Sequence, residues 1–287
     1  MPTSMRRFGR AITLYTWLLA GPGLACAQEA LQLQRQDQGL VQATAFAPKG
    51  QTCRAIAIIS PGAGGSAQGY RYLGEALSAQ GHLAVVVGHE ESGLRALQQQ
   101  VRNSGLRDGL AALIVEPQAY SGRLMDLSAA KRWAQSHCPN AASVLIGHSM
   151  GAATAMIEAG ARNQLGAQGA DSFDAYIALS PQGVGTIFPE NAWSEIQKPV
   201  LLLTGTRDTE LGGLSWETRT QPFSALPPGC KWLAVIEDAT HMHFAGKGLS
   251  RKTETLALQT IAAFLTGVQT GQCKPAPRVP GMELSTK

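Results

Sequence analysis

Ser143-Val144-Leu145-Ile146-Gly147-His148-Ser149-Met150-Gly151-Ala152-Ala153-Thr154 is the stretch on which the reading of this chain turns. A short run with the character of a buried strand enters Gly147-His148-Ser149-Met150-Gly151, and small, helix-compatible residues follow at once. A strand that passes straight into a helix through such a turn holds its central serine in a strained conformation and lifts the hydroxyl clear of the sheet. Glycines two before and two after let neighbouring backbone come close without meeting a Cβ. The pentapeptide alone is a weak signal in a chain with 32 glycines. Its weight comes from the strand before it and the helix after it. The alternative is an ordinary glycine-rich strand-helix turn.

Working outward, similar apolar runs recur at Ala55–Ile59, Leu83–Val87, Ala175–Leu179, Val200–Thr204 and Trp232–Ile236. They alternate with helical-period stretches at Gly69–Ala79, Gly93–Val101, Arg123–Ser136, Ala152–Ala159 and Thr253–Leu265. Strands apolar nearly throughout are buried on both faces, so the pattern predicts one α/β domain with a mostly parallel central sheet and helices on both faces. Between Arg102 and Ser121 the pattern is less regular, with a helical period over Gly105–Ile114 and a break at Pro117.

Two of these strands end in residues that complete a reactive serine. Val200–Thr204 runs into Gly205-Thr206-Arg207-Asp208, and Trp232–Ile236 into Glu237-Asp238-Ala239-Thr240-His241. The order serine, acid, histidine, with acid and base on loops after later strands, predicts Ser149 as nucleophile, His241 as base and Asp208 as the carboxylate that orients it. His243 is the rival base, and Glu210 and Asp238 are rival acids; His241 is preferred because it lies nearer its strand end. His148, adjacent to the serine on the turn, is expected to point elsewhere. No third ligand accompanies His241 and His243 at metal-site spacing, and no metal is expected. An oxyanion needs fixed N–H donors, one from the residue after the nucleophile and one from a loop after an earlier strand. Met150 supplies the first, and Ala63 in Ser60-Pro61-Gly62-Ala63-Gly64-Gly65-Ser66 the second.

On these four segments the mature chain resembles α/β-hydrolases of the dienelactone-hydrolase-like kind, and more distantly platelet-activating-factor acetylhydrolases and polyester-cleaving cutinases. The resemblance implies the α/β-hydrolase fold and ester-type hydrolysis without a cofactor, on a small-molecule ester, while leaving the substrate open. Dienelactone hydrolases proper carry a cysteine nucleophile, so Ser149 departs from that activity. Two other classes compete. Gly62-Ala63-Gly64-Gly65-Ser66-Ala67 matches GxGxx[G/A] after a strand, with Glu90 and Glu91 after the next, as in a nicotinamide-dependent oxidoreductase. The chain would otherwise be a binding protein on a hydrolase scaffold with dead chemistry, which intact Ser149, Asp208 and His241 argue against.

The cap region between Ser180 and Lys198 is short, and the expected cleft is shallow, with Phe188, Trp193 and Trp216 on its apolar wall. At its start the chain carries Arg6, Arg7 and Arg10, an apolar run from Ala11 to Ala20 and a small-residue site at Ala25-Cys26-Ala27. This predicts a signal peptide over residues 1–27, a periplasmic or secreted domain over 28–287, and no membrane span. A twin-arginine route and a lipoprotein are minor variants. Cleavage would remove three arginines and no acid, leaving 21 basic against 20 acidic residues, so the formal charge falls from +4 to +1. No basic run remains for nucleic acid. The sequence is silent on oligomeric state. Four cysteines remain without CxxC spacing, which favours disulfides in an oxidising compartment. In the strand order the resemblance implies, Cys53 and Cys138 sit at the amino ends of adjacent parallel strands. Cys230 begins the last strand of that order, and Cys273 follows the closing helix that returns beside it. The expected pairs are Cys53–Cys138 and Cys230–Cys273.

Overall fold

The computed structural model describes residues 28–50, 52–209, 212–248, 250–273 and 279–287. Residues 1–27, expected to be a signal peptide, and the rival acid Glu210 lie outside them. The strands are β1 (Gln28–Gln34), β2 (Leu40–Phe46), β3 (Ala55–Ser60), β4 (His82–Val87), β5 (Ala142–His148), β6 (Ala175–Leu179), β7 (Val200–Arg207), β8 (Lys231–Thr240) and β9 (Met282–Thr286). They form one sheet in the order β1-β2-β4-β3-β5-β6-β7-β8-β9. From β4 to β8 every pairing is parallel, and β1, β2 and β9 add antiparallel edges.

The six apolar runs fall on β3 to β8, and alternate residues serve opposite cores, as the two-residue period of a strand requires. Ile56, Ile58, Leu145 and Leu202 point to one side, while Ala57, Ile59, Ile146 and Leu203 point to the other. The first core is covered by α3 (Pro117–His137) and α4 (Met150–Glu158); the second by α1 (Arg71–Ala79) and α6 (Arg251–Thr270). Every residue of α4 is buried, which explains why it shows no polar stripe.

The break at Pro117 is the start of α3: proline occupies the first turn, where its missing N–H costs nothing, and the Glu116 side chain accepts from the Gln118 N–H. The preceding segment is α2 (Leu94–Ile114), two helical halves joined at Gly105, whose φ of 82° breaks the helix. Gly109 lets the second half fold back on the first, since a Cβ there would lie 2.6 Å from the Gln100 carbonyl carbon. The short α5 (Gln221–Ala225) follows β7.

Cys53 is bonded to Cys138 just before the paired starts of β3 and β5, where Ala55 faces Ala142. Cys230, before β8, is bonded to Cys273 after α6.

Candidate active site

Four loops meet at the carboxyl ends of the parallel strands, following β3, β5, β7 and β8. Ser149, between β5 and α4, has φ 56° and ψ −120°, the strained geometry the turn was expected to impose. Its two glycines are required by contact. A Cβ on Gly147 would lie 2.0 Å from the Gly151 carbonyl oxygen, and one on Gly151 would lie 2.0 Å from that of Ser60.

His241 follows β8 and places its Nε2 2.9 Å from Ser149 Oγ. Its Nδ1 is 2.9 Å from Asp208 Oδ1. The fully buried Asp208 also accepts from Thr204 Oγ1 at 3.0 Å, its Oδ1 pairs with Arg219 Nε at 2.9 Å, and its backbone carbonyl accepts the hydrogen bond from that Nε at 2.7 Å. Burial alone would raise the Asp208 carboxyl, but the hydrogen bond from His241 and the Arg219 charge outweigh it and hold the group below its ordinary value. Arg219, itself buried, further binds the carbonyls of Ser180, Pro181 and Thr209, which fixes the loop after β7 to the loop after β6. A hydroxyl facing an imidazole whose far nitrogen meets a buried carboxylate is arranged to give up its proton as it attacks.

The rivals fall elsewhere. His243 Nδ1 accepts from the Thr240 N–H and caps the turn at His241. Asp238 is exposed and bonded through its N–H to Thr206. His148 is fully engaged: Nδ1 lies 2.7 Å from the Tyr70 hydroxyl, which accepts from the Gly62 N–H, and Nε2 lies 3.0 Å from the His241 carbonyl. Burial, aided by the nearby His241, lowers its imidazole to about 3, so it stays neutral.

The loop after β3 packs directly on the serine, a Cβ on Gly62 lying 3.1 Å from Ser149 Cβ. Ala63 lines the cleft, and among the described residues its N–H has no hydrogen-bond partner. Met150, at the first position of α4, has no carbonyl one turn back within the helix for its N–H.

The cleft over Ser149 encloses about 650 Å³. Leu110, Ala111, Ile114 and Val115 from the second half of α2 and its end form one wall; Val184 and Ile187 form another. The expected lining aromatics are displaced from it. Phe188 and Trp193 are completely buried, with ring centres 5.1 Å apart, and anchor the segment after β6 to the core from beneath. Trp216 packs half-buried against the same core, outside the cleft. Large aromatics in a short segment supply core area first, and the cleft is walled by smaller side chains of a helix from the other side. Sequence reasoning also passed over Arg219 and Tyr70, lone polar residues outside any motif. Among the described residues no metal-ligating cluster occurs, and no helix is long and apolar enough to cross a membrane.

No protein-family model and no curated protein matches the sequence. Solved structures do match. A putative dienelactone hydrolase from Klebsiella pneumoniae superposes with a TM-score of 0.60 at 18% identity, over 84% of this chain and 99% of that one. An esterase from Pyrococcus furiosus gives 0.57 at 15% identity, over 84% and 90%. An alpha-beta serine hydrolase homologue from Coxiella burnetii gives 0.54 at 18%, over 80% and 96%. Sheet order, helix placement and these superpositions agree that the chain has the α/β-hydrolase fold.

Proposed function

We propose that this chain is an exported serine hydrolase that cleaves carboxylic esters through an acyl-enzyme intermediate. The observation that carries the reading is the pair of 2.9 Å contacts that run from Ser149 through His241 to Asp208. In acylation, Ser149 Oγ attacks the ester carbonyl carbon while its proton passes to His241 Nε2. The carbonyl oxygen becomes an oxyanion received by the N–H groups of Ala63 and Met150. Collapse expels the alcohol, to which His241 returns the proton. A water deprotonated by His241 then attacks the acyl-Ser149 and releases the acid. Asp208 keeps His241 in the tautomer that accepts at Nε2 and stabilises the imidazolium.

The structural neighbours include an esterase and a putative dienelactone hydrolase, which supports a hydrolase. The dinucleotide alternative gains no support: Gly64 and Gly65 spend their N–H groups on Ser92 and Gly62 carbonyls, leaving neither for a pyrophosphate. Export is supported by the signal-like start and by the two disulfides. The apolar walls and moderate volume of the cleft favour short or medium acyl groups.

Hydrolysis of a series of p-nitrophenyl esters of increasing acyl length tests this. Turnover should peak at short to medium chains and disappear in Ser149→Ala. Turnover retained by that variant would overturn the mechanism. Faster cleavage of a long-chain triglyceride, rising at the oil-water interface, would overturn the size preference.

A further inference from the structure

Behind the loop that carries Ala63 lies a second Ser-His-Asp arrangement. Ser60 Oγ is 3.0 Å from His89 Nε2, and His89 Nδ1 is 2.9 Å from Asp126 Oδ2. The hydrogen bonds repeat those of Ser149, His241 and Asp208, yet Ser60 is wholly buried and no substrate reaches it. Its hydroxyl is held instead by Arg123 Nη2 at 3.0 Å.

Arg123 is completely buried on α3, and its guanidinium makes four hydrogen bonds in four directions. Besides Ser60, Nη2 binds the Pro61 carbonyl. Nη1 binds Ser92 Oγ at 2.7 Å, and Nε binds Thr154 Oγ1 at 2.8 Å. Each partner leads to the oxyanion site. Pro61 stands two residues before Ala63. The Ser92 carbonyl accepts from the N–H of Gly64, the residue after Ala63, at 2.8 Å. Thr154 Oγ1 donates to the Met150 carbonyl at 2.8 Å. The Ala63 peptide is thus pinned on both sides, and Met150 once, to a single planar group.

All four acceptors are uncharged, so among the described residues no carboxylate is hydrogen-bonded to the guanidinium. Of the nearest acids, Glu91 meets Arg35 through Oε1 while its buried Oε2 has no hydrogen-bond partner among the described residues, and Asp126 is bonded by His89 and Arg35. Burial lowers Arg123 to about 10, which leaves it a cation at neutral pH. Burying a bare cation this deeply costs free energy unless its donors find acceptors, and the fork geometry of arginine brings four of its five N–H groups onto acceptors where a lysine ammonium, with three donors, does not.

We propose that Arg123 is a positioning residue of the oxyanion site: its guanidinium sets the spacing between the Ala63 and Met150 N–H donors, with Ser60, His89 and Asp126 as the brace that holds it. The proposal rests on the hydrolase reading. Donor placement matters in the transition state more than in the ground state, since the oxyanion exists only there.

The test compares Arg123→Lys, which keeps charge and loses the fork, with the milder Ser92→Ala and Thr154→Val, which each cut one link. The readouts are kcat and KM on the best p-nitrophenyl ester and the affinity for an alkylboronic acid, which forms a tetrahedral anion on the serine. Arg123→Lys should lower kcat on the order of 10–100-fold with KM nearly unchanged, and weaken the boronate by a similar factor; each single-link variant should lose roughly 3–10-fold in both. If Arg123→Lys fails to fold, the two single-link variants decide. Folded variants with wild-type kcat and boronate affinity, or with a loss confined to KM, overturn the proposal. A wild-type protein that neither turns over esters nor binds boronate in a Ser149-dependent way overturns the hydrolase reading, and this inference with it.

Discussion

His241 and His243 stand two residues apart after the same strand, and only their surroundings separate their roles. His241 reaches Ser149 and Asp208, whereas His243 satisfies the Thr240 N–H. His241→Ala should therefore cost about 10³-fold or more in kcat. His243→Ala should leave kcat within about threefold and lower stability by about 1 kcal/mol through the lost cap, read by chemical denaturation. A dead His243→Ala variant that remains folded would reverse the assignment. His148 gives a pH signature. Folding lowers its imidazole from 6.5 to about 3, so between these values the unfolded chain binds a proton that the folded chain does not. Its contribution to stability is whole above pH 6.5 and is lost as pH falls toward 3. Acidification from about pH 7 to about 4.5 should cost wild type about 2–3 kcal/mol more than His148→Gln, which keeps a donor toward the His241 carbonyl. Equal losses would show that His148 is protonated in the fold.

At the scale of elements, what the sequence made legible and what it hid divide along burial. The strands β3 to β8 are buried on both faces, so their apolar runs end within a few residues of the observed bounds, and the reactive loops follow from them. Edge strands β1 and β9 carry exposed polar residues such as Gln28, Glu29, Gln32 and Glu283, and gave no apolar run to read. The cleft wall was hidden for another reason: the second half of α2 owes its place to the break at Gly105 and the close approach at Gly109, neither of which a helical period encodes. Phe188 and Trp193 misled because an aromatic in a short segment near the site looks the same whether it faces the cleft or the core. The corrected wall makes a prediction. Ile114→Trp should cut kcat/KM for the longest accepted acyl ester by about tenfold or more while changing the shortest by less than about threefold. An equal fall for both would remove α2 from substrate selection.

Over the whole molecule, Ser149, Asp208 and His241 gather at the carboxyl ends of the parallel strands, the end where α/β sheets bind ligands, and both disulfides lie at the opposite ends of β3, β5 and β8. The bonds span 85 and 43 residues, so each restricts the unfolded chain substantially. Reduction should lower stability by about 2–4 kcal/mol per bond while kcat at 25 °C holds, because the site is built by packing at the far end. Simultaneous loss of activity and bonds in a protein that stays folded would tie the site to them. The proposed hydrolysis depends on Ser149 being a nucleophile made reactive by His241. Labelling with a fluorophosphonate, followed by peptide mapping, measures this directly. A single adduct is expected, on Ser149, absent from Ser149→Ala and slowed at least about 100-fold in His241→Ala. A folded protein that takes no label, or takes it on Ser60 or another serine and keeps it in Ser149→Ala, would contradict it.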